Sequence, residues 1–381
     1  MDANQPPTPA PRRTRVAVVF GGRSGEHSVS CITAAAVLRA IDRDRFDVLA
    51  LGITRSGRWL AVSDEPARWE HHGGDLPEVT DEASSTEVVL PRSTDDAELL
   101  ALEPGAVPRS LGPVDVVLPL LHGPYGEDGT VQGLLEVAGV RYAGAGVLAS
   151  AVGMDKHYMK IVLSGHGIPV GPYVVLGPGQ WEQDQEACTR SVDGLGTPVF
   201  VKPARAGSSL GITKVDDLAD LPAAVRAAQE HDPKVLVEAA IVGREIECAV
   251  LGGRDGAAPR TSLPGEIAVG ATENGFYDFG SKYLGEGEVR LHCPAELPAA
   301  VVDRVRELAA RTFQAVGCEG LARVDTFVTG DGQVLVNEIN TMPGFTPVSM
   351  YPMLWAASGL GFTELVDELI ALALERPTGL R

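Results

Sequence analysis

The chain has 381 residues, a hydrophobic content of 44% and a formal net charge of −19. This length is sufficient for two or three domains with sizeable cores. The negative charge argues against nucleic acid as a partner, because its phosphate backbone would be repelled. No apolar run reaches the roughly 18 residues that a membrane helix needs, so we expect no membrane contact.

The amino-terminal segment and the cysteines indicate the compartment. Residues 1–14 lack the apolar core of a signal peptide, so we interpret them as a disordered tail and predict a cytoplasmic protein. The five cysteines show no C-x-x-C spacing. They are therefore expected to be reduced and structural, with no role in a metal site or a disulfide.

A strand, a glycine-rich turn and a helix open the folded part of the chain. Residues 15–20 are typical of a buried parallel strand, and residues 29–41 have a helical pattern. Between them, G-G-R-S-G-E-H-S differs from G-x-G-x-x-G, which disfavours a dinucleotide site. The helix amino terminus favours a carboxylate ligand. A plain turn with Glu26 in solvent is the alternative.

The next segment is irregular before a second buried strand begins. Residues 63–113 predict surface loops and short strands, and residues 114–121 predict the strand. H-G-P-Y-G-E-D-G follows, and then a helix over residues 130–138. His122, at the end of the strand, is compatible with a structural role or with a site. The Glu127–Asp128 pair is interpreted as a helix cap and not as a catalytic pair.

Two lysines occur in different settings. A helix over residues 151–164 carries Lys156, which the pattern alone indicates to be a surface lysine. A strand ends at Lys202, and the small, glycine- and serine-rich turn 204–211 follows. A lysine beside such a turn fits a phosphate cradle, although the turn is not a P-loop and a simple hairpin is the alternative. A later strand ends at Glu238.

Residues 271–285 are polar and aromatic, with three glycines. This composition is typical of a functional loop, and an exposed loop tip is the alternative. The amphipathic helices predicted over residues 297–316 and 362–374 are interpreted as structural.

Two strands joined by a Gly-Asp-Gly turn, within residues 321–340, carry the strongest chemical pattern. Because strand side chains alternate between faces, Arg323 and Asp325 share one face, and Glu338 and Asn340 share a face of the second strand. Two carboxylates and an amide suit Mg²⁺, which leaves positions open for phosphate and water. A solvated hairpin face is the alternative.

These residues also carry a family resemblance. R-x-D followed by N-E-x-N-T-x-P-G-x-T resembles the metal-binding end of an ATP-grasp ligase. With G-G-x-S-x-E, H-G-x-x-G-E-D-G, M-D-K and K-Y, the chain resembles the D-alanine–D-alanine ligase family from residue 16 to about residue 375. The resemblance implies an α/β ATP-grasp fold with an amino-terminal Rossmann-like α/β domain. The expected divisions are a tail 1–14, an amino-terminal domain 15–147, a central lid domain 148–240 and a carboxy-terminal domain 241–381 with the metal site.

The resemblance also implies a role for each residue that matches the family pattern. The implied catalytic residues are Glu26, Ser208, Tyr283, Arg323 and Gly344. The residues implied to bind D-alanine are Glu26, His122, Ser349 and Met350. The residues implied to bind ATP are Lys156, Lys202, Ser209, Glu238, Ala239, Ile241, Glu245 and Lys282. The implied ligands of two Mg²⁺ ions, which Mn²⁺ can replace, are Asp325, Glu338 and Asn340.

The implied enzyme is a homodimer that joins two D-alanines at the expense of ATP for peptidoglycan synthesis. Ligases that use D-lactate or D-serine as the acceptor are the alternative within enzymes, and Tyr283 favours D-alanine. A silent nucleotide-binding regulator is the alternative from another class, which the complete metal-ligand set disfavours. The chain departs from the family at Ala206, where a charge is usual, and at Ala239 and Ala240, where lysine or an aromatic residue is frequent.

Overall fold

The computed structural model describes residues 12–71, 76–82, 85–91, 98–207, 210–269 and 289–378. Within these stretches no helix is both long enough and apolar enough to cross a membrane. Most of the predicted tail lies outside them, and Thr14 already belongs to the first strand. The described part of the chain is built from three sheets with helices packed on them, which confirms the predicted α/β class.

The first sheet surrounds the buried strand that opens the chain. Its strands are β1 (Thr14–Gly21), β2 (Phe46–Ile53), β3 (Trp59–Ala61), β4 (Glu87–Val89), β5 (Glu98–Leu102), β6 (Arg109–Pro113) and β7 (Val116–Pro119). Their order is β6-β5-β4-β3-β2-β1-β7. β2, β1 and β7 are parallel, as in a Rossmann-like sheet, and β3 to β6 continue it in antiparallel fashion. The short strands predicted within residues 63–113 therefore extend this sheet.

Side chains alternate across β1, so helices cover both faces. Val18 and Phe20 pack on the side of α1 (His27–Ala40). Val19 packs on the opposite side with α2 (Thr130–Val137). Burial on both faces explains why the strand is continuously apolar. It also places the turn before α1 and the loop before α2 at the same edge of the sheet, beyond the carboxyl ends of β1 and β7.

The segment that carries M-D-K contains two helices, and the single helix predicted over residues 151–164 is wrong. The helices are α3 (Val147–Met154) and α4 (Lys156–Gly165). Asp155 separates them with extended backbone angles, and its carboxylate accepts hydrogen bonds from two N–H groups of α4. Aspartate is a preferred residue at this capping position. The break makes Lys156 the first residue of a new helix.

The second sheet lies between α4 and the third sheet in sequence. It contains β8 (Tyr173–Leu176), β9 (Val199–Pro203), β10 (Thr213–Val215) and β11 (Val235–Ala239), in the antiparallel order β10-β9-β11-β8. The helices of this region are α5 (Gln180–Gln183), α6 (Gln185–Asp193) and α7 (Leu221–Gln229). Val201 and Val237 pack on the helices. By alternation, Lys202 and Glu238 lie on the other face.

The third sheet contains the predicted hairpin. Its strands are β12 (Gly243–Leu251), β13 (Arg260–Thr261), β14 (Gly265–Val269), β15 (Val289–His292), β16 (Leu321–Thr329) and β17 (Val334–Asn340). Helix α8 (Ala299–Ala315) packs on one face, where it contacts Val324 and Val336 among others. Arg323 and Asp325 therefore occupy the opposite face.

The last two helices return the chain to the first sheet. They are α9 (Met350–Ala357), which was not predicted, and α10 (Phe362–Glu375), which was. Helix α10 packs against α1 and β7. Beyond it, Arg376 donates to the carbonyls of Tyr142 and Gly144 at 3.2 and 2.8 Å. The predicted amino-terminal and carboxy-terminal divisions thus share one hydrophobic core, and their limits stay a prediction.

Candidate active site

The predicted site residues that the structure describes line one cavity of about 870 Å³. They are Glu26, His122, Lys156, Lys202, Glu238, Ala239, Ile241, Glu245, Arg323, Asp325, Glu338, Asn340, Gly344, Ser349 and Met350. Ser208, Ser209, Lys282 and Tyr283 lie outside the described residues. The first sheet, the second sheet and the third sheet all contribute walls, so the cavity is formed by tertiary packing of distant segments.

The β16–β17 hairpin forms the centre of the cavity. Arg323 pairs with Asn340, and Asp325 pairs with Glu338, in the antiparallel register. The Arg323 guanidinium donates two hydrogen bonds of 2.7 Å to Asp325. The amide of Asn340 donates to the same carboxylate at 2.9 Å. Strand alternation and register thus bring the four side chains together as predicted from their spacing.

A further carboxylate, Glu247, approaches Arg323. Its Oε2 lies 3.1 Å from Arg323 Nε, and the residue is buried on β12. Burial opposes the charge of Arg323, but Asp325 and Glu247 outweigh it and raise the pKa of the guanidinium further. Arg323 therefore stays charged. Sequence analysis missed Glu247, although E-I-E in an alternating strand already indicates two acidic side chains on one face.

The hairpin carries a donor set that fits Mg²⁺. Asp325, Glu338 and Asn340 present oxygen atoms from adjacent strands, and all line the cavity. Among the described residues there is no group of three or more His, Cys, Asp or Glu that could enclose a metal. Two carboxylates and an amide match the habit of Mg²⁺, which keeps positions for water and phosphate oxygens. Both Asp325 oxygens now accept hydrogen bonds, so a metal would take the place of a donor.

Lys156 connects this hairpin to the glycine- and serine-rich turn. Its Nζ donates to the carbonyl of Ala206 at 2.9 Å and lies 3.3 Å from Glu338 Oε2. The side chain is mostly buried. A surface position, the alternative left open by the sequence, is therefore wrong for Lys156.

Glu238 lies between two lysines. Lys160 Nζ is 2.6 Å from Oε1, and Lys202 Nζ contacts Oε2. Burial alone would raise the pKa of Glu238, but Lys202 and Lys160 outweigh it and lower the pKa to about 2. The same contact raises the pKa of Lys202 against the effect of burial. Sequence analysis missed Lys160. Its signal was the spacing of four residues from Lys156, which places both lysines on one helix face.

At the end of β11, the carbonyl of Ala239 receives no hydrogen bond from its cross-strand neighbour Pro172. The N–H of Ala239 donates to the carbonyl of Pro172 at 3.1 Å. In an antiparallel pair the return bond would run from the nitrogen of Pro172 to the carbonyl of Ala239. Proline has no N–H, so this neighbour offers no donor to that carbonyl. Phe200 and Ile241 supply apolar walls beside it.

His122 ties the first sheet to the loop after β17. Its Nδ1 lies 3.2 Å from the carbonyl of Met342, and its Nε2 lies 3.2 Å from the hydroxyl of Thr33. A carbonyl only accepts, so Nδ1 carries the hydrogen and Nε2 accepts from Thr33. Burial lowers the pKa of His122, although Glu26 opposes this effect. The ring is therefore neutral and holds the loop in place.

Glu127 faces the cavity, and its interpretation as a helix cap is wrong. Oε1 accepts a hydrogen bond of 2.6 Å from the N–H of Gly123. Burial and the nearby charge of Glu26 raise the pKa of Glu127 to about 8. Asp128 is the residue that supports the helix, because it accepts from the N–H of Thr130 at 2.9 Å. At neutral pH Glu127 is largely protonated.

Glu26 stands at the start of α1 against the backbone of Gly123. A Cβ atom at Gly123 would lie only 2.5 Å from Glu26 Oε2, and the φ of Gly123 is +71°. The positive φ favours glycine there, and the short distance shows how closely the Glu26 side chain approaches this backbone. The turn, His122 and Glu127 thus enclose one acidic corner of the cavity.

Ser349 and Met350 line another part of the cavity, where α9 begins. The first N–H groups of a helix have no partner within it, and they favour an anion. Ser349 Oγ lies 2.8 Å from the hydroxyl of Thr346. A Cβ at Gly344 would approach Ser349 Oγ to 3.2 Å, so glycine keeps the loop close to the helix start. This part of the cavity can hold a carboxylate.

Comparisons with known proteins agree with this geometry. Residues 15–145 match the family model described as D-ala D-ala ligase N-terminus, and residues 162–371 match D-ala D-ala ligase C-terminus. A D-alanine–D-alanine ligase of Arthrobacter sp. is 59% identical over 99% of this chain and 98% of its own length. One from Streptomyces avermitilis is 56% identical over 99% and 98%.

Solved structures show the same fold. The D-alanine–D-alanine ligase from Coxiella burnetii is 35% identical, with a TM-score of 0.80, and the match covers 96% of this chain and 94% of that one. A D-Ala:D-Ser ligase from Enterococcus faecalis is 36% identical, with a TM-score of 0.81, over 95% and 100%.

Proposed function

The chain belongs to the D-alanine–D-alanine ligase family, and from this premise we propose that it joins two D-alanines to D-alanyl-D-alanine with ATP, for the synthesis of cell-wall precursors. The observation that carries the proposal is that one cavity holds all these features. It has an acidic corner for an ammonium group, a helix start for a carboxylate and a lysine-rich end for a nucleotide, with the hairpin at its centre.

The nucleotide is assigned to the end lined by β9 and β11. The carbonyl of Ala239 and the carboxylate of Glu238 are acceptors for the amino group of adenine, and the N–H of Ile241 is a donor for its ring. Phe200 and Ile241 supply apolar contacts that Ala239 and Ala240 lack. Glu245 binds ribose, and Lys156 and Lys202 meet the phosphates. Ser209 and Lys282 keep the nucleotide contacts predicted for them.

Asp325, Glu338 and Asn340 hold Mg²⁺ in this proposal, with Mn²⁺ as a substitute. The metal supplies charge neutralisation at the phosphates. Arg323 and the N–H of Gly344 stabilise the oxyanion that forms on the first D-alanine. One cation at about 4 Å in an effective dielectric of 20 contributes on the order of 4 kcal/mol.

The two amino acids bind at different parts of the cavity. Glu26 holds the ammonium group of the first D-alanine. The carboxylate of this D-alanine attacks the γ-phosphate of ATP to give an acyl phosphate and ADP. Ser349 and the N–H of Met350 hold the carboxylate of the second. Its amine attacks the acyl phosphate, and inorganic phosphate leaves. His122 keeps the loop with Gly344 in place, and Ser208 and Tyr283 keep their predicted catalytic roles.

A homodimer is proposed with its interface on α2 and α3. Leu134, Val137 and Leu148 are 44%, 83% and 71% exposed, and the two helices pack side by side. Exposed apolar side chains in a group mark an interface. Light scattering should give a dimer mass for the wild type and a monomer mass for Leu148→Asp; a monomeric wild type contradicts the proposal.

The cytoplasm is the proposed location because the reaction consumes ATP.

The acceptor is tested by identifying products. ATP, D-alanine and an equimolar mixture of D-lactate and D-serine are incubated with the protein, and the products are separated by mass spectrometry. We expect D-alanyl-D-alanine to dominate at neutral pH. A D-alanine–D-serine ligase is the second candidate, because a solved ligase of that kind shares the fold. A dominant D-alanyl-D-serine peak would replace the proposal with it. Nucleotide hydrolysis that ignores D-alanine would contradict ligation altogether.

The metal assignment is tested by Glu338→Gln, which removes one formal charge from the hairpin. We expect turnover to fall at least about 100-fold at saturating Mg²⁺, equal to about 2.7 kcal/mol in the barrier. Asp331→Asn, in the exposed turn of the same hairpin, is the matched control and should leave turnover unchanged. Normal turnover of Glu338→Gln would exclude Glu338 as a ligand.

A further inference from the structure

Lys160 is a buried cation at the nucleotide end of the cavity. It is 1% exposed, and its Nζ lies 2.6 Å from Glu238 Oε1 and 5.6 Å from the centroid of the Tyr173 ring. Lysine is almost never this buried unless it is paired. It is one of the residues that line the cavity, although its side chain is only 2% exposed. Its ion pair with Glu238 is the contact through which we expect it to act on a nucleotide.

The two oxygens of Glu238 are divided between two lysines. Lys160 holds Oε1, and Lys202 contacts Oε2 from β9. Lys202 is also the lysine assigned to the nucleotide, whereas Lys160 lies on α4. When Lys202 turns to a nucleotide, Oε2 is released while Oε1 keeps its cation. Lys160 thus determines which oxygen of Glu238 meets the ligand and keeps it ionised.

We propose that Lys160 is a positioning residue that makes the site select a purine with an amino group at C6 over a purine with a keto group there. The inference rests on the proposed use of ATP. An ionised carboxylate only accepts hydrogen bonds, so a fixed Oε2 binds an amino group and repels a keto oxygen. The carbonyl of Ala239 is a second acceptor at the same end of the cavity and adds to this preference.

Loss of Lys160 leaves Lys202 as the cation that contacts Glu238. The phosphates of the nucleotide compete with Glu238 for this lysine. The carboxylate can then follow Lys202 or take up a proton, and a protonated carboxyl donates to a keto oxygen. Selection against the keto purine should weaken. A merely structural lysine would behave differently, because its loss would weaken binding of both purines to the same extent.

The test compares equilibrium binding of ADP and IDP, which differ in the C6 group. Dissociation constants are measured by titration calorimetry with Mg²⁺ and without D-alanine. The wild type should prefer ADP. Lys160→Met should reduce the ratio of the two constants by at least about tenfold, equal to about 1.4 kcal/mol. Lys160→Arg keeps the charge and should retain the ratio within about threefold. An unchanged ratio in Lys160→Met overturns the proposal.

A double-mutant cycle tests whether Lys160 acts through Glu238. Glu238→Gln should reduce the ratio by itself, because an amide can donate to the keto oxygen. Adding Lys160→Met should then change the ratio no further, and Glu238→Gln alone still tests the carboxylate that the proposal requires if Lys160→Met does not fold. A further loss in the double mutant, or a wild-type ratio in Glu238→Gln, overturns the inference. A wild type that binds neither nucleotide refutes the proposed ATP use itself.

Discussion

Two largely enclosed glutamates that line one cavity have different charge states. Glu238 lies between Lys160 and Lys202, and its pKa falls to about 2. Glu127 lies near the carboxylate of Glu26, and its pKa rises to about 8. Burial disfavours the charged form of both side chains and so raises the pKa of each. The neighbours decide the outcome: cations offset burial at one end, and a second carboxylate adds to it at the other.

This difference separates two kinds of ligand. At the nucleotide end Lys160 and Lys202 flank Glu238, and Lys202 and Lys156 are the cations that meet phosphate in the proposal. The acidic corner has one ionised carboxylate beside a neutral Glu127 and a neutral His122. A single ammonium group can neutralise that corner, whereas two ionised carboxylates would leave an excess charge.

The largest expected effect comes from removing a cation at the nucleotide end. Lys202→Met should lower kcat/KM for ATP by about 1,000-fold, because one cation near phosphate contributes on the order of 4 kcal/mol. Steady-state kinetics with varied ATP measure the effect. Lys214→Met is the matched control on the neighbouring strand β10, where the lysine pairs with Asp216. Equal losses in both variants would mean that Lys202 has no special place at the phosphates.

A second comparison concerns stability at the same end. Glu238→Gln leaves two buried lysines without their carboxylate, and breaking a buried ion pair from one side costs about 3 kcal/mol. Urea denaturation at pH 7 without nucleotide should show this loss. Glu186→Gln, which disrupts an exposed pair with Arg190, should cause no measurable change. If Glu238→Gln is as stable as the wild type, the three charges do not act as one buried network.

The sequence predicts the centre of this cavity better than its ends, for a physical reason. Arg323, Asp325, Glu338 and Asn340 lie in one hairpin, where the turn sets the register and alternation sets the face. Both rules are local. The pairing of Lys160 with Glu238 joins α4 to β11, and no local rule connects them. The periodic pattern predicted one continuous helix, whereas the structure has a break at Asp155, after which α4 begins.

The role of Glu127 was mispredicted for the same reason. Glu127 precedes a helix, and an acidic residue there is typical of a cap. Its proximity to Glu26 arises because β1 and β7 are adjacent parallel strands, so that the loops at their carboxyl ends meet. The family motifs assign Glu26 and His122 to one substrate site, and both line the cavity. They contain no information on the protonation of Glu127, which depends on burial.

The smallest expected effect is the most direct test of the contrast between the two glutamates. A carboxyl whose folded pKa of about 8 exceeds its ordinary value of 4.5 binds more protons in the folded state than in the unfolded state. Its contribution to stability is therefore greatest below pH 4.5 and is lost as the pH rises towards 8, by up to about 1.4 kcal/mol per pH unit.

The variant Glu127→Gln does not titrate at this position but retains an oxygen that accepts from the N–H of Gly123. Between pH 6 and 8 the variant should gain about 2 kcal/mol relative to the wild type in urea denaturation. Glu26→Gln removes the neighbouring charge, lowers the pKa of Glu127 and should move the wild-type loss to lower pH. Parallel stability curves for wild type and Glu127→Gln over this range would show that Glu127 is ionised like Glu238, and the contrast between the two ends would fail.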